Sequence, residues 1–157
     1  LSEMVTKLKA KGFTYLGTKD GIAFMEGDFA GYRECQIVVL SMKETGKVNV
    51  VAVAFPDRED WSSLESDYNG LKSMLTEKYG EPMRVIEKFQ DDYVPDNWFK
   101  FHYITSDKAT WASVFETSDG TIELYMNKVD YDEAAVILKY YDKANTDVVR
   151  ASAMDDL

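Results

Sequence analysis

Apolar residues recur along this chain with two periods. In residues 2–11, Met4 or Val5 and Leu8 fall on one stripe and Gly12 follows where helices usually stop, so a short amphipathic helix is expected. Runs of strand character come next, at residues 13–16, 22–29, 32–42 and 48–55. They are separated by Lys19-Asp20-Gly21, Ala30-Gly31 and Glu44-Thr45-Gly46-Lys47, all turn chemistry. The last two runs carry apolar residues on both faces, as strands buried on both sides do.

The clearest helical signal follows. Asp60 can cap it, Trp61, Leu64, Tyr68, Leu71 and Leu75 recur at three and four residue steps, and Gly80 with Pro82 ends it. Gly70 in its middle costs about 1 kcal/mol against Ala, which implies close packing at that turn or simple tolerance. Further strand-like runs lie at residues 83–89, 98–105, 110–117, 121–128 and 135–142, with Ser106-Asp107-Lys108 and Ser118-Asp119-Gly120 as hairpin-type connections. In residues 121–128, Ile122, Leu124 and Met126 alternate with Thr121, Glu123, Tyr125 and Asn127, so one face of that strand is wet.

Helix, four strands, helix, then four or five strands is an α+β plan. Successive hairpins without helical crossovers predict an antiparallel sheet of about 8–9 strands in two helix-plus-four-strand halves, with the helices on one face. The halves cover residues 1–57 and 58–142 of a single domain, and residues 143–157 read as a mobile or short helical tail. A length of 157 residues suits one domain that buries a substantial core without staples.

Charge narrows the partners. There are 28 acidic against 18 basic side chains, a net charge of −10 that argues against nucleic acid and anionic membrane surfaces. No stretch has the length of a membrane span. The chain begins at Leu1 rather than Met, so a trimmed leader, with or without a lipid-bearing Cys, is expected ahead of it.

Several segments resemble a group of small, uncharacterised exported proteins of gut Bacteroidota. They are Lys9-Ala10-Lys11-Gly12-Phe13, Lys78-Tyr79-Gly80-Glu81-Pro82, Tyr140-Tyr141-Asp142-Lys143-Ala144-Asn145 and the terminal Ala153-Met154-Asp155-Asp156-Leu157. The resemblance implies export to the periplasm, the outer membrane or the cell surface, and it brings no catalytic motif. The helix-plus-meander plan also resembles the beta-lactamase-inhibitor-protein-like architecture, a scaffold associated with binding.

Catalytic chemistry is thinly supplied. No nucleophile elbow, phosphate loop, dinucleotide fingerprint or zinc-protease pair occurs. One Cys and one His leave Cys35 with His102 as the formal nucleophile and base. Cys35 shares an alternating face with Arg33, Ile37 and Val39 and reads as a buried inert thiol. On residues 98–105 read as a strand, Phe99, Phe101 and Tyr103 take one face and His102 the wetter one, a surface position. Two carboxylates could flank a glycosidic bond, and Asp91, Asp92 and Asp96, or Asp130, Asp132 and Glu133, offer hard oxygens for calcium. Neither acidic group has the spacing of a twelve-residue calcium loop, and solvated loops are the simpler reading. No cofactor is implied.

Aromatics are the remaining signal: 10 Tyr, 8 Phe and 3 Trp. Phe13, Phe24, Trp61, Tyr68, Phe99 and Phe115 are expected in the core, while Tyr93, Trp98, Tyr125 and Tyr141 are expected at the surface, where Tyr and Trp supply rigid contact area. The expectation is a non-catalytic exported binding or protein-interaction module of the cell envelope with a protein or glycan partner. The alternatives are a small hydrolase using carboxylates or Cys35 with His102, and a carrier whose sheet cups an apolar ligand in a cavity lined by Met and aromatics.

Overall fold

The computed structural model describes residues 1–90 and 94–144. In chain order its elements are α1 (Ser2–Ala10), β1 (Thr14–Lys19), β2 (Ile22–Phe29), β3 (Tyr32–Ser41), β4 (Val48–Ala54), α2 (Trp61–Tyr79), β5 (Arg84–Phe89), α3 (Asn97–Thr105), β6 (Ala109–Glu116), β7 (Gly120–Asp130) and β8 (Glu133–Asp142). The eight strands form one antiparallel sheet in the order β1-β2-β3-β4-β8-β7-β6-β5. This order is palindromic. Each half enters at an edge and steps inward, so the final strands of the two halves meet at the centre, with Val50 opposite Tyr141 and Ala54 opposite Ile137.

Local chemistry sets the boundaries. Asp20 (φ 53°) and Gly21 (φ 78°) are both left-handed, the requirement of a two-residue hairpin whose twist matches its strands. Gly12 (φ 100°) closes α1, with the Phe13 N–H donating to the Leu8 carbonyl at 3.1 Å. At the start of α2, the Asp60 side chain accepts from the Ser63 N–H at 3.0 Å, and at its end Gly80 turns at φ 89°. Gly70 faces the Tyr32 hydroxyl, 3.4 Å from where a Cβ would sit, an ordinary contact distance, so the helix tolerates glycine there rather than requiring it.

The Asp60 cap has a pH signature. Its carboxyl is held below the ordinary 3.8, chiefly by the Ser63 backbone N–H and then by the Ser63 hydroxyl. A depressed folded value means that the contribution is complete above the unfolded value and lost as pH falls through the folded one. We expect Asp60→Ala to cost about 1 kcal/mol at neutral pH, with the gap from wild type closing below pH 3.8. Urea titrations at neutral and acid pH test this; a gap that does not change with pH would mean that the ionised carboxylate is not the cap.

Residues 98–105 correct the sequence reading, because they form α3 and not a strand. The aromatic and β-branched content there favours a strand, and Phe99, Phe101 and Tyr103 alternate as one would. Burial follows another period: Phe101, Ile104 and Thr105 point inward at three and four residue steps. The Asp96 side chain caps the helix by accepting from the Phe99 N–H at 3.3 Å. Ser106-Asp107-Lys108 therefore ends a helix rather than joining two strands, with Asp107 left-handed (φ 59°) and the Lys108 N–H donating to the Tyr103 carbonyl at 2.8 Å.

Helices α1, α2 and α3 lie on one face of the sheet. Val5 of α1, Leu64, Tyr68 and Leu71 of α2, and Phe101 and Ile104 of α3 join Ala23, Met25, Ile37, Val39, Val53, Leu124, Met126 and Val136 in one core that spans both halves. Register explains the set: Ala23 pairs with Val39, Met25 with Ile37, Ile37 with Val53, and Met126 with Val136, so these residues share a face. Two polar pairs lie within this layer. The Tyr68 and Ser113 hydroxyls are 2.6 Å apart and both fully buried, and burial pushes the Tyr68 phenol well above its ordinary range. Arg58 donates from Nε to Asp67 Oδ2 at 2.7 Å and from Nη2 to Oδ1 at 3.3 Å, with Asp67 buried.

Phe13 is half-buried, and Trp61, Tyr68 and Phe115 are in the core as expected. Phe24 and Phe99 are not: they are 43% and 50% exposed. Phe24 lies between buried Ala23 and Met25 and so points to the other side of the sheet. Phe99 is on the outer side of α3, a consequence of the helical period there.

Candidate recognition surface

Strand alternation sends every second side chain away from the helices, onto a face that no described helix covers. Three rows cross it. Ile22, Leu40, Val50, Tyr141, Thr121 and Glu116 are aligned by pairing, as are Phe24, Val38, Ala52, Lys139, Glu123, Val114 and Arg84. The third row is Glu26, Gln36, Ala54, Ile137, Tyr125, Ala112 and Ile86. The central strands β3, β4 and β8 supply its apolar middle in Val38, Leu40, Val50, Ala52, Ala54 and Ile137. None of these six belongs to the core under the helices.

The charges on this face sit mostly at its margins: Glu26 on β2, Glu116 on β6, and Arg84 and Lys88 on the edge strand β5. Lys139 and Glu123 are the exception, side by side within the aromatic part. The Lys139 ammonium lies over the Tyr125 ring, 5.6 Å from its centroid. Its pKa is held above the ordinary range, first by a hydrogen bond with Tyr125 and then by the neighbouring Tyr141 and Glu123. Burial, and after it Glu123, pushes the Tyr141 phenol up. Lys139 is thus a fixed cation flanked by two tyrosine rings and does not have the depressed pKa of a nucleophilic amine.

At one end the face deepens into a cleft of about 910 Å³ lined by Gln36, Ala54 and Ile137 from the sheet, the β2–β3 hairpin with Arg33 and Glu34, and the loop Pro56, Asp57 and Arg58. A bulge shapes this rim. Glu34 adopts φ 56° and its N–H donates to Asp28 Oδ1 at 3.2 Å, and pairing shifts between Gly27 and Phe29. The extra residue breaks the alternation that the sequence suggested, so Arg33 is exposed and does not share the buried face of Cys35.

The aromatic residues expected at the surface are thereby separated. Tyr125 and Tyr141 share the open face. Trp98 is 67% exposed on α3, in the helix layer on the opposite side of the sheet, and Tyr93 lies outside the described residues. So do Asp91, Asp92 and residues 145–157, and with them most of the first acidic loop and the tail.

Among the described residues, Cys35 and His102 are not brought together. Cys35 is fully enclosed beneath the helices, its thiol turned to the Tyr32 carbonyl at 3.6 Å and pushed up chiefly by burial, whereas His102 is exposed on α3 with its ring 4.4 Å from that of Trp98. Asp96 is occupied as a helix cap, and Asp130 Oδ1 accepts from the Tyr131 N–H at 2.7 Å. Among the described residues no group of three or more His, Cys, Asp or Glu is arranged to hold a metal ion. Carboxylates do crowd at Glu133, whose pKa is raised by desolvation and by Asp57, Asp132 and Glu59 around it. As for a carrier, Met25, Met42 and Met126 are buried in the packed interior, and the cleft at the end of the open face contains no Met. No described helix is long and apolar enough to cross a membrane.

Sequence reasoning placed Tyr125, from its outward alternation, and Tyr141 at the surface but missed the aliphatic half of that surface. Val38, Val50 and Ala52 looked like residues buried on both sides of a central strand. Comparison with protein-family models, with curated proteins and with solved structures finds no match, so the chemistry of these surfaces carries the functional reading.

Proposed function

We propose that this protein is a non-catalytic interaction module of the cell envelope that docks another folded protein on the open face of its sheet. The supporting observation is the composition of that face. An apolar centre with two tyrosines, and charges at the margins apart from the Lys139 and Glu123 pair, resembles the anatomy of a protein interface, and here it occurs on a protein with a net charge of −10. Glu26, Glu116 and Glu123 are balanced by Arg84, Lys139 and Lys19, which pairs with Ile22, among the aligned positions, so the molecule's acidic excess lies elsewhere.

Size agrees with this reading. Eight strands spaced at about 4.8 Å and rows spanning about 20 Å give a face of about 700 Å², close to the roughly 800 Å² that each partner buries in a standard interface. The partner is a protein rather than a glycan because the middle of the face offers aliphatic side chains and few hydrogen-bonding groups. It is a different protein rather than a second copy because two chains of this charge repel each other. Export follows from the resemblance of the helix ends and the final strand, and the envelope is where such a module would meet its partner.

A photo-crosslinker at position 125 in the producing cells is expected to trap one partner protein, and the purified pair should re-form a binary complex. In that complex Tyr141→Ala and Ile137→Lys should each weaken binding at least about tenfold, a loss of 1.4 kcal/mol or more, while Trp98→Ala on the other side leaves it unchanged. Crosslinks only to a second copy, crosslinks spread over unrelated proteins, or binding indifferent to both substitutions would overturn the proposal.

A further inference from the structure

The sheet ends in two outer strands, and their free edges differ. On β1 the pairing slips between Tyr15 and Gly17, a bulge of the kind that spoils an edge for further pairing. On β5 six consecutive residues pair with β6 without a slip, from Arg84 opposite Val114 to Phe89 opposite Ala109, and none of them is Pro or Gly. The Gln90 N–H donates to the Lys108 carbonyl at 2.8 Å. From that bond, the alternation of an antiparallel ladder aims the backbone groups of Arg84, Ile86 and Lys88 at β6 and those of Val85, Glu87 and Phe89 away from it. No described strand lies on that outer side.

A row of unpaired backbone donors and acceptors is a template for one more strand, and the side chains of β5 decide which strand it takes. Arg84, Ile86 and Lys88 stand on the open-face side, a cation at each end of an apolar residue. Both cations are exposed, each lies opposite an uncharged residue of β6, Val114 or Thr110, and neither forms an ion pair with a described residue. On the helix side Lys72 of α2 holds Glu87 at 2.9 Å, Phe89 is buried and Val85 is 42% exposed. In a molecule of net charge −10, this edge is therefore locally positive.

A second copy does not suit it. In the two antiparallel registers that overlap most and keep each face of the sheet, either Arg84 lies opposite Lys88 at both ends or Glu87 lies opposite Glu87 at the centre. Like charges directly opposite are destabilising. The segment that suits β5 has acids where β5 has bases. We propose that the free edge of β5 takes up an extended segment of another protein as an added strand, with two carboxylates four residues apart facing Arg84 and Lys88 and an apolar residue midway between them facing Ile86. Backbone bonds to Val85 and Glu87 hold this strand, and the two ion pairs select it. The acidic excess elsewhere on the molecule is screened beyond about 8 Å at physiological salt, whereas these pairs act in contact. The apolar middle of the open face takes no part, so this docking and the one proposed there can fail separately.

The probe is a short blocked peptide of Thr with Ile at its centre and Glu two residues to either side; its control has Lys in place of Glu. Titrated into isotope-labelled protein, the Glu peptide should bind saturably with a Kd below about 1 mM and slow hydrogen exchange at the Val85 and Glu87 amides, while the Lys peptide binds at least about tenfold more weakly. With Arg84→Glu and Lys88→Glu combined, the preference should invert. Val85→Pro removes one outward N–H, spares the ladder with β6, and should weaken the Glu peptide at least about tenfold with the signals of β6 and β7 unchanged. No binding below about 1 mM, equal binding of both peptides, a preference that survives the charge swap, or saturation without protection of the two amides would each overturn the proposal.

Discussion

Arg58→Ala is expected to lower the stability of the fold by about 3 kcal/mol, because it strands the Asp67 carboxylate inside the protein. Asp67 lies on the buried side of α2 with 5% of its surface exposed, and both its oxygens are engaged by the Arg58 guanidinium. The Arg58 side chain keeps 34% of its surface, so solvent screens the pair in part and the loss falls at the lower end of what breaking a buried pair costs. The pair is also a mechanical link. Backbone bonds between Arg58 and Ala134, at 2.7 and 3.0 Å, tie the β4–α2 loop to β8, and the side chain ties the same loop to α2. Denaturant unfolding followed by circular dichroism measures the effect. Replacing both partners with apolar residues, Arg58→Met with Asp67→Leu, should recover most of the loss, since no charge is then left behind. If the double variant is as unstable as Arg58→Ala, packing rather than a stranded charge is responsible.

The second large effect is expected at Gly120, where an added methyl group has nowhere to go. A Cβ there would lie 1.9 Å from the Tyr141 carbonyl oxygen, 3.0 Å from its carbon and 3.3 Å from the Tyr140 ring. These are atoms of β8, the strand that joins the two halves, and a backbone held in a central ladder cannot step aside as a flexible side chain would. Gly120→Ala should therefore cost about 3 kcal/mol, the upper part of the range for overpacking. Because the clash lies at the end of the β7–β8 ladder, amide exchange should speed up first at Thr121, Ile122 and Tyr141. A variant as stable as wild type, with unchanged exchange at those amides, would show that the strands can separate there at little cost. Sequence reading saw Gly120 only as a hairpin residue, and the reason it must be glycine lies 21 residues away in the partner strand.

Most strand positions could be read from the chain because side-chain alternation and turn chemistry are local. Gly12 and Gly80 marked helix ends, Asp20-Gly21 marked a hairpin, and the alternation of Ile122, Leu124 and Met126 marked an inward face, all through backbone preferences that do not depend on the rest of the molecule. Residues 98–105 misled because their composition favours a strand while the Asp96 cap and the burial of Phe101 and Ile104 select a helix. Cys35 could be identified as buried, but the exposure of Arg33 on the same strand could not, since one left-handed residue at Glu34 shifts the phase.

By itself, then, the sequence determined the α+β class, most of the antiparallel hairpins, the Asp60 cap and the outward direction of Tyr125, because periodicity and turn propensity are properties of neighbouring residues. Only the tertiary structure decided that β4 and β8 meet at the centre and that α1, α2 and α3 gather on one side. That arrangement turns Val38, Val50 and Ala52 from strand residues expected to be covered on both sides into an uncovered face. It also placed Tyr125 and Tyr141 on one surface and Trp98 on the other. Which residues share a surface depends on strand order and register, and these are set by the global burial of the apolar side chains rather than by any local pattern.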